Sequence, residues 1–135
     1  MSSDEARGRF ARSPVARLAT VSASVRPHLV PIVFVVVGDV IYTSIDAKPK
    51  TTMMLRRLAN IEANPAVTAL VDFYSDDWTQ LWWARADGDA RIADTAEAAV
   101  AKRRLAARYP DYTAQPPPGP VIAIDVARWS GWRAH

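Results

Sequence analysis

The sequence predicts a mainly β protein, an antiparallel barrel, closed or split, of six to seven strands with attached helices. Three observations carry this expectation. Short runs rich in valine, isoleucine and threonine alternate with turns bearing glycine, proline or aspartate. Helical period replaces strand period twice, once mid-chain and once late. No internal repeat or shift of composition divides the 135 residues, so residues 1–135 read as one domain.

Residues 1–13 show no sustained periodicity and are expected to form an N-terminal arm or a short helix packed on the barrel. Ala16 to Ser22 make a first strand, Ser24 to Pro27 a turn, and His28 to Val37 a second strand. Pro31 cannot donate to a ladder, so it marks an edge, a bulge or a split in that strand. Gly38-Asp39 turns the chain into a third strand, Val40 to Ile45. Between Thr51 and Ala63 the period becomes helical, with Met54, Leu55, Leu58 and Ile61 on one face, and Asn64-Pro65 ends the helix. The methionines read as core filler.

Ala66 to Tyr74 make a fourth strand, and Ser75-Asp76-Asp77 a loop. Thr79 to Ala86 make a fifth, Asp87-Gly88 a tight turn, and Asp89 to Ile92 a sixth. Asp94 to Glu97 has the spacing of a capping box and opens a helix running to about Tyr109, whose Lys102, Arg103, Arg104 and Arg108 complement the helix dipole on a solvated face. The run Pro116 to Pro120 is a stiff connection that delivers a last strand, Val121 to Val126, followed by a tail through Trp129 and Trp132.

Composition excludes several chemistries. With no cysteine there is no disulfide, thiolate ligand, iron-sulfur cluster or cysteine nucleophile, and two distant histidines, His28 and His135, argue against a metal site. No apolar run approaches the ~20 residues of a membrane span, and no signal-peptide core follows the polar N-terminus, so a cytoplasmic protein without membrane contact is expected. No dinucleotide or phosphate-binding glycine loop occurs, and no histidine accompanies a serine elbow. Adjacent Asp76 and Asp77 read as solvated loop acids. Chemistry, where it occurs, is then borrowed from a cofactor.

The net charge of +3 is matched by the short segment 46–57, where Lys48, Lys50, Arg56 and Arg57 oppose Asp46. Two of the three lysines therefore stand at the mouth of the first long helix, beside Thr51 and Thr52. Unpaired N–H groups at a helix start, joined by ammonium and hydroxyl groups, suit a phosphate, although a solvated loop carries lysines as readily. Nucleic acid is a weaker expectation for one short basic segment with no reading motif. Trp82 and Trp83 are consecutive, so one faces the barrel and the other faces outward. With Trp78, Leu81, Trp129 and Trp132 they suggest a subunit interface, a wall for an aromatic ring, or ordinary packing.

Ala19-Thr20-Val21, Pro27 to Ile32, Ile41-Tyr42-Thr43, Asp46 to Lys50, and Arg57 to Ile61 before Asn64-Pro65 resemble the pyridoxamine-phosphate-oxidase-like superfamily of FMN-binding split barrels. The block of Asp72, Asp77-Trp78 and Leu81-Trp82-Trp83 is similar to its actinobacterial branch of coenzyme F420-dependent oxidoreductases. The resemblance implies a homodimer with the cofactor at the subunit interface and a small-molecule acceptor. Lys48, Lys50 and Thr51 would hold the phosphate, Thr43 and Ser44 line the cofactor tail, and Val30, Pro31 and Ile32 lie under the ring. Trp82 and Arg85 would come from the second subunit. It implies F420 as cofactor, with FMN as the alternative and a non-catalytic deazaflavin, haem or tetrapyrrole carrier as another. Ser24-Val25-Arg26 replaces the Asp-Gly turn usual in relatives, and proline separates Lys48 from Lys50.

Overall fold

Seven strands pair into one antiparallel sheet in the order β2-β1-β5-β6-β7-β4-β3. The computed structural model describes residues 1–45 and 52–134, the side chains of residues 52–55 excepted. The strands are β1 (Ala16–Val21), β2 (Pro27–Ile32), β3 (Val35–Val37), β4 (Val40–Ser44), β5 (Ala66–Phe73), β6 (Trp82–Ile92) and β7 (Val121–Arg133). The helices are α1 (Ser3–Arg12), α2 (Thr52–Ala63), α3 (Thr95–Arg108) and α4 (Pro110–Ala114).

The order itself explains why the sheet curls. β2 and β3 occupy its opposite edges, yet only Val33 and Phe34 separate them. Three residue steps reach at most about 11 Å, so the two edges must approach each other. The expected single strand from His28 to Val37 is therefore two strands with a break at residues 33–34, the split that Pro31 signals. Pro31 pairs with Arg17 on one side only, at the free edge where a missing N–H costs nothing.

Alternation fills the interior. Leu18, Ala69 and Ala84 face inward from neighbouring strands, while Arg17, Leu70 and Trp83 face outward. The expected arm is a helix: the Ser2 hydroxyl caps α1 by accepting from the Glu5 N–H at 3.1 Å. Its buried Phe10 meets Phe34 at 5.0 Å and Trp129 edge-on at 5.4 Å between ring centroids, closing one end of the core.

Three other expectations are corrected. Thr79 and Gln80 belong to a short 3-10 turn, Trp78–Gln80, because Asp77 accepts from both the backbone N–H (3.0 Å) and the hydroxyl (2.6 Å) of Thr79. Asp87-Gly88 is no turn but the middle of the 11-residue β6. There the register slips against β7, leaving Ala127 unpaired as a bulge, and a Cβ on Gly88 would overlap the Asp125 carbonyl and lie 2.9 Å from Cα of Val126. The last strand continues to Arg133, and the extra residue switches its inward parity from Ile122 and Ile124 to Trp129.

The predicted capping box forms in half. Asp94 accepts from the Glu97 N–H at 2.9 Å, but the Glu97 carboxylate instead takes two hydrogen bonds from Arg91 and one from Tyr42. At the other end of α3 the expected solvated basic face does not include Arg108. Its guanidinium donates to the Phe34 carbonyl at 2.6 Å and to the Ser13 carbonyl, and lies over the Phe34 and Tyr109 rings. The Tyr109 hydroxyl accepts from the Phe34 N–H and shares its proton between the Phe34 and Pro14 carbonyls. The end of α3 thus fastens the backbone where β2 breaks into β3.

Candidate functional site at the barrel split

A groove of about 350 Å³ opens beside this break, lined by Val15, Pro31, Ile32, Val33, Thr43, Ser44, Arg57 and Tyr112. Local geometry explains the assembly. β2 ends at Ile32 on the free edge, β4 runs past the opposite edge, and α2 and α4 supply Arg57 and Tyr112. The fold therefore gathers Pro31, Ile32, Thr43 and Ser44, four of the residues assigned to the cofactor. Val30 points into the core at 3% exposure and does not line the groove. Lys48, Lys50 and Thr51 lie outside the described residues.

The two buried hydroxyls already have work. Thr43 Oγ1 donates to the Val33 carbonyl at 2.8 Å and ties the split together, while Ser44 Oγ donates to the Pro120 carbonyl at 3.4 Å. Their protons are therefore committed. Arg57 differs. Its Nε is buried and meets no hydrogen-bond partner among the described residues, and burial pushes the guanidinium pKa below its usual value. A buried N–H of a half-buried cation left without an acceptor is costly, and the cost falls when an anion arrives. Arginine stays charged under such pressure and presents a planar fork suited to phosphate. The sequence placed Arg57 within the basic pole without marking it as a ligand; its burial arises only when α2 packs against the sheet.

Trp82 and Arg85 do not reach this groove within their own chain. They line a separate hollow on the outer sheet face with Leu70, Asp72, Tyr74, Leu81, Trp83 and Trp132. Arg85 lies 5.4 Å from the Trp83 ring and donates to Asp87 at 3.0 Å, whereas Trp82 packs partly against the core beneath Arg9 at 5.0 Å. The exposed Trp132 and Tyr74 leave this face aromatic. No helix among the described residues is long and apolar enough to cross a membrane.

A curled antiparallel sheet split between β2 and β3 is the architecture of split-barrel proteins built on a flavin-binding oxidoreductase fold. The chain belongs to the pyridoxamine 5'-phosphate oxidase family, whose model matches residues 2–133. Solved structures share the fold at low identity. The conserved hypothetical protein Rv2991 of Mycobacterium tuberculosis superposes with a TM-score of 0.80 at 20% identity, over 100% of this chain and 86% of that one. An FAD-binding protein of Mesorhizobium loti gives 0.75 at 17% identity, over 97% and 94%. The FAD-binding protein of Mycobacterium smegmatis gives 0.69 at 20%, over 98% and 94%. No curated protein matches the chain in sequence.

Proposed function

We propose that this protein is a homodimeric oxidoreductase that binds reduced coenzyme F420 with its phosphate against Arg57 in the split groove and passes a hydride from the reduced deazaflavin to a small organic acceptor. The observation that carries the reading is the buried, unpartnered Nε of Arg57 beside Thr43 and Ser44. The residues fit such a group: a guanidinium whose Nε meets no hydrogen-bond partner among the described residues, an edge strand stiffened by Pro31, and an apolar flank of Val15, Ile32 and Tyr112 against which a ring could lie. The bound deazaflavin supplies the hydride. The chain's own part is to neutralise the phosphate through Arg57, with Lys48 and Lys50 proposed as further phosphate ligands, and to hold the ring edge in a dry, fixed slot. Trp82 and Arg85, which lie away from the groove of their own chain, are proposed to complete the site of the second subunit.

A second reading exchanges F420 for a flavin, and is favoured by the two FAD-binding proteins that share the fold. Titration of the purified protein with F420, FMN and FAD, followed by tryptophan quenching, separates the two. The expected result is selective binding of F420, weakened about 10- to 100-fold by Arg57→Met, since a charge-assisted bond contributes roughly 1.5–3 kcal/mol. Replacing both Lys48 and Lys50 should weaken it by a similar or larger factor. Binding of flavin alone moves the protein to the second reading. Unchanged affinity in Arg57→Met removes the site.

A further inference from the structure

On another side of α2 lies a hollow of about 380 Å³ with a different lining: Ser22, Ser24, Arg26, Pro27, His28, Arg56 and Asn60. We propose that it is a second anion site, separate from the cofactor groove, that takes a phosphate group, free or as a monoester. Its chemistry points one way. Two guanidinium groups, an imidazole, two hydroxyls and a carboxamide line it, and among the described residues no carboxylate does. Neither Arg26 nor Arg56 forms an ion pair among the described residues, and the Nδ1 of His28 is buried without a hydrogen-bond partner among them. Several donors converging on one polar hollow suit a doubly charged tetrahedral oxyanion better than an apolar or cationic ligand.

The hairpin that supplies half of this lining is held in a strained form. Val25 adopts φ +62°, a left-handed conformation that β-branched residues rarely take. Four contacts fix it there: Ser22 N–H to the Arg26 carbonyl (2.9 Å), Val25 N–H to the Ser22 carbonyl (2.9 Å), Arg26 N–H to Ser22 Oγ (3.0 Å), and Ser22 Oγ with Ser24 Oγ (3.1 Å). The result sets Ser22, Ser24 and Arg26 on one hollow. The far wall is equally fixed, because Asn60 donates to buried Thr20 Oγ1 at 3.1 Å. Backbone strain held by these four contacts beside a cluster of cations fits a binding loop.

The test is calorimetric titration at constant ionic strength with inorganic phosphate, glycerol 3-phosphate and glutarate. It uses the wild type, the Arg57→Met variant, and the Arg26→Ala/Arg56→Ala variant, whose two replaced side chains are exposed and leave the core untouched. The expected result is phosphate binding that persists in Arg57→Met and weakens at least about tenfold in Arg26→Ala/Arg56→Ala. Glycerol 3-phosphate binding more tightly than inorganic phosphate assigns an ester, and the reverse assigns the free ion. Glutarate binding more tightly than both overturns the phosphate assignment. No heat from phosphate in the wild type, or full binding in the double variant, overturns the site. Because Arg57 is varied separately, a failed cofactor groove and a failed second site give different results.

Discussion

Replacing Arg108 with methionine tests whether the end of α3 holds the barrel split together. Methionine keeps the aliphatic volume but removes the hydrogen bonds to the Phe34 and Ser13 carbonyls and the cation lying 4.9 Å from the Phe34 ring. Charge-assisted hydrogen bonds contribute roughly 1.5–3 kcal/mol each, and the lower end applies because the side chain is only part-buried. A partly exposed cation–π contact adds about 0.5–1 kcal/mol. The Phe34 carbonyl keeps its contact from Tyr109, so the loss falls mainly on Ser13 and the ring, and about 2.5 kcal/mol is expected in all. For a chain of this size that lowers Tm by about 10 °C. The assay is urea unfolding of Arg108→Met beside Arg104→Met, which changes an exposed residue of the same helix turn and should cost almost nothing. Equal midpoints for the two variants would refute the fastening argument. A cycle with Tyr109→Phe should be non-additive, since both side chains bond the Phe34 carbonyl.

Other expectations follow from single features. Val25→Asn should stabilise the protein by about 1 kcal/mol, because asparagine tolerates the left-handed region, whereas Val25→Pro should destabilise it; thermal melts of both check this. The Arg91–Glu97–Tyr42 cluster sets two limbs of a pH-stability curve. Arg91 and then Tyr42 hold the Glu97 carboxyl down at about 2, so its contribution is complete above its ordinary value of 4.5 and is lost as pH falls toward 2. Burial and then Glu97 push Tyr42 up to about 12, so its contribution is complete below pH 10 and is lost as pH rises through 12. Glu97→Gln should flatten the acid limb in urea midpoints measured between pH 2 and 5, and an unchanged limb would dismiss the cluster as its cause.

Much of the fold was legible because β-branched alternation is a local signal. Strands β1, β4 and β5 fall within a residue of their expected ends, α2 stops just before Asn64-Pro65, and α3 starts at its Asp94 cap. What misled was glycine. Gly88 beside Asp87 has the composition of a turn, yet it serves the close approach of β7 at a bulge, a demand made by a strand 35 or more residues later. α4, which brings Tyr112 to the groove, is too short to announce itself by period. The site was legible in its β part: the Pro31 signal and the Thr43-Ser44 pair meet because the split joins the two edges. It was illegible in Arg57, whose burial is a tertiary fact, and in Arg108, whose charge reads as surface until Phe34 and Ser13 are placed beneath it.

The same distinction changes the meaning of the basic segment. In sequence, Arg56 and Arg57 add to one positive pole, which invites a reading as a single electrostatic surface. On a helix, consecutive residues point about 100° apart, and the fold uses that angle to send Arg57 to the groove at the split and Arg56 to the hollow beneath the strained hairpin. One is half-buried and lacks a partner for Nε; the other is exposed beside Arg26 and His28. Among the described residues, the charges of Arg56 and Arg57 therefore face two separate hollows and not one continuous stripe. From one helix the two arginines face the two proposed anion sites, the groove at the split and the hollow beneath the hairpin.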